Sequence, residues 1–178
     1  MTEHESSEVE SHLSAFSDDG HVQFRENRGL WQLTADGRVA HAEHLASDLA
    51  GLDPVAVLSD HYATFIDLNG QFKELCGDWQ LREGEPNDHS DLDYDAEVIG
   101  RLADIHGNAA PVVTEMGGEI ERLSPYSRRL EIVLERVQRG DTTMFTGVMC
   151  GSYHDAWMEL HEDLILTQGI NRAAEGSF

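Results

Sequence analysis

The densest set of residues able to do chemistry lies late in the chain: Tyr153, His154, Trp157, Met158 and His161, followed by Ile165. Their spacings of three, four and seven put them on neighbouring positions of one helix, and His154 and His161 point to nearly the same face. Two imidazoles flanked by an indole suit a pocket in which they exchange hydrogen bonds, move protons or hold a metal. The same pair equally suits half-buried histidines satisfied by carboxylates or backbone. A metal needs more ligands than this helix offers. His161-Glu162-Asp163 is not H-E-x-x-H, because position 165 is Ile165. Adjacent helical residues also diverge by about 100 degrees. A metal site would have to be assembled from His154, His161, His89, His61 and a carboxylate on other helices, so no metal and no other cofactor is assigned.

A second group is Cys76, Asp78 and Trp79, just before a loop carrying Asn87, Asp88 and His89. Asp78 beside Trp79 reads either as a buried carboxylate with raised proton affinity or as a solvated helix-end acid. Asn87, Asp88 and His89 read as a lid over a site or as ordinary capping of the next helix. The expected acid/base set is therefore His154, His161 and Asp78. The expected ligand-binding set is Trp79, His89, Tyr153, Trp157, Met158 and Cys76. His41 and His44, with Glu43 between them, read as surface residues. Arg128, Arg129 and Arg136 among Glu131 and Glu135 read as a solvated face with i, i+4 pairs. No G-x-S-x-G, P-loop or G-x-G-x-x-G pattern occurs, which leaves hydrolase-elbow and nucleotide readings without support.

The elements that must position these residues are mostly helices. Val9, Leu13 and Phe16 recur at helical spacing, with Ser7 and Glu10 as a capping box, so a helix is expected over 7–16. His21–Arg25 and Leu30–Leu33 flank the turn Glu26-Asn27-Arg28-Gly29 and predict a hairpin. Thr34 caps a helix over about 35–49. Asp53-Pro54 starts a longer one to about Trp79, with Gly70 expected to mark a kink or a close crossing. A polar loop covers 82–91. Helix resumes over 95–121, interrupted near Pro111 and Gly117-Gly118. Ser124-Pro125 opens the next, over 126–139; 141–151 reads as a mixed apolar connection, and the last helix spans about 152–168. Short loops between such helices predict a bundle with antiparallel neighbours.

The charge balance bears on partners. The chain of 178 residues has 34 acidic against 12 basic residues, a formal charge of -22, and a single lysine, Lys73. Phosphate recognition depends on clustered Lys and Arg. Arg25, Arg28 and Arg38 are diluted by Glu5, Glu8, Glu10, Asp18, Asp19 and Glu26. Two cysteines, Cys76 and Cys150, give no disulfide framework. The acidic start Met1-Thr2-Glu3-His4-Glu5 does not read as a signal peptide, and no apolar run is long enough to span a bilayer. A cytoplasmic protein without membrane partners is expected.

Leu33-Thr34-Ala35-Asp36-Gly37-Arg38 resembles, as L-T-x-x-G-R, the exit from the wing of MarR-like and PadR-like transcriptional regulators. Cys76–Arg82, Asn87–Asp91 and Ser152–Leu164 are similar to a group of actinobacterial MarR-like regulators, and the similarity runs from about Ser7 to Ala174. The resemblance implies a mainly α fold: a helical bundle over 35–178, for dimerisation and ligand binding, preceded by a partial winged-helix remnant over 1–34. In the remnant, the short helix matches the recognition helix and the β-hairpin matches the wing. It implies a homodimer that senses a small molecule. With so acidic a remnant, DNA binding is expected to be weak or lost. The alternative expectation is an enzyme on the same scaffold, doing cyclisation, isomerisation, elimination or hydrolysis with His154 or His161 as base and Asp78 as partner. A third is an acidic interaction protein that pairs with a full-length relative.

Overall fold

The computed structural model describes residues 5–171. These are mainly helical, with two small antiparallel two-stranded sheets. The chain divides into two compact units at Asp53/Pro54.

The first unit follows the expected order: α1 (Ser6–Asp18), β1 (Val22–Arg25), β2 (Leu30–Leu33) and α2 (Ala35–Asp48). The Ser7–Glu10 capping box does not form, because the cap position of α1 is Glu5, two residues before Ser7, and makes no side-chain cap. In the hairpin Val22 stands opposite Leu33 and Phe24 opposite Trp31. Strand alternation therefore collects these four apolar side chains on one face. The rings of Phe24 and Trp31 lie 5.4 Å apart.

Thr34 caps α2 as its type predicts, accepting from the Gly37 N–H at 2.9 Å. Its hydroxyl also donates to the Gly20 carbonyl at 2.7 Å. A Cβ on Gly37 would sit 1.9 Å from the His21 carbonyl oxygen, so glycine alone lets α2 begin this close to the hairpin. These ties hold α2 to the hairpin, and the units part after Asp53 instead of after Thr34. Of the described residues in this unit, only Gly37 is buried.

The second unit contains α3 (Pro54–Gln80), β3 (Leu81–Arg82), β4 (Glu85–Pro86), α4 (Leu92–Glu119), α5 (Pro125–Gln138), α6 (Thr143–Thr146) and α7 (Tyr153–Gln168), with a 3-10 turn at Glu121–Leu123. Buried Leu58, Phe65, Phe72 and Trp79 recur every seventh residue along α3, with Leu68 and Leu75 between them. That spacing is the seam of a helix packed among antiparallel neighbours.

Long-range pairs fix the directions. Tyr94 at the start of α4 donates to the Asp78 carbonyl near the end of α3. Arg122 and Tyr126, before and at the start of α5, reach Asp163 near the end of α7. Phe65 stacks on Trp157 while Phe72 meets Tyr153, so α7 also runs antiparallel to α3. Helices α3, α4, α5 and α7 thus form an up-down-up-down bundle. No helix among the described residues is long and apolar enough to cross a membrane.

One sequence expectation about a close crossing fails, and one about an interruption. α3 runs unbroken through Gly70, and a Cβ there would meet nothing within 4 Å, so this glycine marks no close crossing. α4 runs through Pro111 and Gly117-Gly118. Its stripe Ala109, Val113 and Met116 is fully buried on both sides of the proline, and that packing outweighs the missing donor. The connection over 141–151 holds the short helix α6, whose Phe145 ring lies 4.9 Å from that of Trp79. α7 opens with a capping box between Ser152 and Asp155. Asp155 Oδ2 further accepts from the backbone N–H groups of Cys150 and Gly151, each at 2.9 Å.

Candidate functional site

α3 and α7 supply most of the polar and aromatic side chains at the bundle centre. Trp157 is fully buried, stacked on Phe65 at 4.9 Å, and its indole N–H donates to Asn69 Oδ1 at 2.9 Å. Tyr153 is also fully buried, and its hydroxyl lies 3.2 Å from His106 Nδ1 on α4. Burial raises the Tyr153 hydroxyl far above the phenol range. Burial lowers His106, with Glu131 acting weakly the other way. His161 is buried against Phe65, ring centres 5.5 Å apart. His154 is half-buried with its ring 6.3 Å from Phe72, and its Nδ1 is buried without a hydrogen-bond partner. Met158 is half-buried on the same helix.

The second group assembles at the end of the bundle where α3 passes into α4. β3 and β4 form a two-residue hairpin there, and the loop after it carries Asn87 and His89. His89 adopts a left-handed backbone at φ 56, which histidine tolerates better than most side chains. Its Nδ1 lies 3.0 and 3.2 Å from the two carboxylate oxygens of Asp95, in the first turn of α4. Asn87 donates from Nδ2 to the Trp79 carbonyl at 3.1 Å and to Asp95 Oδ1 at 3.2 Å. The His89 ring lies over Trp79, centres 4.4 Å apart, and Trp79 is itself buried.

These placements separate residues that the sequence grouped. Asp78 turns out to the surface, 44 % exposed, and pairs with Arg101 of α4 at 2.7 Å. Its described ion pair therefore engages an arginine and neither histidine of α7. Trp79 and His89 meet, as do Tyr153 and Trp157. Cys76 is half-buried, and burial pushes its thiol up to about 12, which suits an inert packing residue. Arg128 pairs with Glu131 and Arg139 with Glu135 on an exposed face. Arg129 crosses instead to Glu159 of α7.

Three participants were not singled out from sequence: Asn69, Asp95 and His106. Asp95 and Asn69 each left a readable signal. Asp95 stands three and seven residues before the buried Val98 and Leu102, on the apolar stripe of α4. Asn69 stands beside Leu68 and three before Phe72 on the inner face of α3. A polar residue on such a stripe is buried with a partner or not at all.

Two open clefts lie elsewhere on the second unit. One of about 210 Å³ between α3 and α4 is lined by Gln71, Glu74, Arg101, Asp104, Ile105 and Asn108. One of about 430 Å³ between α4 and α5 includes Thr114, Ser124, Ser127 and Arg128. Neither contains a residue of the two groups above.

The first unit is strongly acidic. From Glu5 to Asp53 it holds ten acidic residues against Arg25, Arg28 and Arg38. Arg25 Nε donates to Gln32 at 3.1 Å and Arg38 to the Leu33 carbonyl at 3.3 Å. Comparison with protein-family models, with curated proteins and with solved structures returns no match.

Proposed function

We propose that this chain is a small-molecule-binding protein of MarR-like regulator descent, with weak or lost DNA binding. The observation that carries the reading is His154 Nδ1, buried beside the Phe72 ring without a hydrogen-bond partner. An orphaned buried polar atom costs roughly 1–3 kcal/mol. A ligand that brings a polar group between α3 and α7 recovers that cost, and the centres of helical bundles are where such ligands bind. Phe72 beside it, with Tyr153 and Trp157 packed on Phe72, favours an apolar, ring-bearing ligand.

The test uses indole and 2-naphthol as probes, read by calorimetry and thermal shift on the full chain. Binding should weaken at least about tenfold in His154→Leu, while the ligand-free variant gains about 1 kcal/mol of stability by losing the orphaned atom. No binding by wild type, together with an unchanged stability of His154→Leu, would refute the reading. Random duplex DNA at about 50 mM salt should not bind; a tight, steeply salt-dependent complex would remove the DNA part.

A homodimer is part of the same proposal. It is supported by the apolar side chains the first unit leaves exposed, among them Phe16, Phe24, Trp31 and Leu33. Light scattering should return twice the 19.8 kDa of one chain.

An acid/base enzyme reading would move from His154, His161 and Asp78 to the His89–Asp95 pair, where an imidazole and a carboxylate do meet. A carboxylate on one imidazole nitrogen orients the other, as in many general bases. Turnover by wild type that survives in His89→Asn would argue against it.

A further inference from the structure

We infer that His89 is the acceptor of a separate binding site that takes small organic ammonium ions. Three observations lead there.

The first is the proton inventory. Asn87 Nδ2 has two hydrogens and three neighbours: the Trp79 carbonyl at 3.1 Å, and Asp95 Oδ1 and His89 Nδ1 at 3.2 Å each. Given to the two oxygens, those hydrogens leave His89 Nδ1 against both carboxylate oxygens of Asp95, at 3.0 and 3.2 Å. A carboxylate only accepts, so Nδ1 carries the hydrogen of the neutral ring and Nε2 carries the lone pair. His89 therefore offers a ligand an acceptor, and the ligand must bring an N–H or O–H donor.

The second is preorganisation with access. The ring is held by the Asp95 carboxylate, by the Trp79 face 4.4 Å away and by a backbone N–H donated to Asn87 Oδ1 at 3.2 Å. Asp95 is 10 % exposed at the side chain, yet His89 is 41 % exposed. A buried carboxylate behind a fixed, solvent-facing imidazole is costly to build for packing alone. Orienting a ring through its other nitrogen is how proteins prepare histidine to bind.

The third selects charge. From Arg82 to Asp95 the chain carries six acidic residues and one arginine. Arg82 is held by Asp91 at 2.7 Å and lies over the Tyr94 ring. Hydrogen bonds hold the carboxyls of Asp88 and Asp91 below the ordinary range, so both stay charged. An anionic donor is repelled there and a cationic N–H donor is attracted.

The experiment uses the full chain and three probes of one shape: benzylammonium, benzyl alcohol and benzoate. Long-range proton–nitrogen correlation reads both ring nitrogens of His89. The free neutral ring should be protonated at Nδ1, and benzylammonium should shift Nε2 saturably. Benzyl alcohol should bind more weakly and benzoate not at all. His89→Asn keeps a side chain that tolerates the left-handed backbone, so the fold should persist while benzylammonium binding falls at least about tenfold. Asp95→Asn should weaken binding by about tenfold and mix the two ring tautomers, which marks Asp95 as a positioning residue. The indole response of the His154 site should be unchanged in both variants, so failure of one site is distinguishable from failure of the other. A free ring protonated at Nε2, benzoate or benzyl alcohol binding as tightly as benzylammonium, or undiminished binding in folded His89→Asn would each overturn the proposal.

Discussion

Removing the acceptor of the Trp157 indole gives the most direct test of how the bundle centre is held. Asn69 is 4 % exposed and Trp157 is fully buried, joined at 2.9 Å. In Asn69→Leu the indole N–H keeps its burial and loses its acceptor, a cost of about 1–3 kcal/mol, partly offset by the added apolar surface. A net loss of about 2 kcal/mol is expected. For a chain of this size that lowers Tm by roughly 4–8 °C. Trp157→Phe orphans the Asn69 amide instead, and also removes packed volume beside Phe65, for about 3 kcal/mol. The double variant removes the polar need on both sides. Its loss should therefore fall short of the sum of the single losses by about 1–2 kcal/mol. Urea unfolding followed by far-ultraviolet circular dichroism provides the four midpoints, with equal slopes as the check on two-state behaviour. If the single losses sum to the double loss within about 0.5 kcal/mol, the hydrogen bond does not couple these residues and the argument fails.

Further expectations concern other parts of the chain. Gly37→Ala should loosen the first unit alone, since its Cβ would overlap the His21 carbonyl oxygen at 1.9 Å; amide exchange should accelerate over residues 20–48 and stay unchanged over α4. His106 is held low by burial, so the unfolded chain binds the proton first. Its contribution is complete above about pH 6.5, is lost as pH falls below that value, and levels off under the lowered folded value. Between about pH 7.5 and pH 5 the urea midpoint of His106→Gln should consequently fall less than that of wild type. Alkylation followed by mass spectrometry should label the exposed Cys150 well before Cys76, whose thiol burial pushes up to about 12.

Much of the helical layout was legible because apolar periodicity and end signals agreed. Pro54, Pro125, Thr34 and Gly169 mark ends that the structure keeps. The expected interruption at Pro111 fails where tertiary burial decides, since that proline lies inside a helix whose flanking stripe is buried. The two short strands and α6 are too brief to show a period. Side-chain type identified Trp79, His89, Tyr153 and Trp157 as members of polar-aromatic groups, but not their partners. The partner of His89 is Asp95, six residues on, across a loop whose backbone turns left-handed at the histidine itself. The nearer acid, Asp78, is taken by Arg101 on another helix. Such choices depend on which helix lies alongside, and spacing within one helix does not encode that.

The start of α7 has one more consequence. The amides of Cys150 and Gly151 converge on Asp155, and Ser152 closes the same turn from the other side. Converging amides at a helix head, where the peptide dipoles present positive charge, are what proteins use to hold phosphate or sulfate. Here the chain fills that cradle with its own carboxylate. An incoming oxyanion would meet that carboxylate in place of free amides, at the head of the helix that carries His154 and His161.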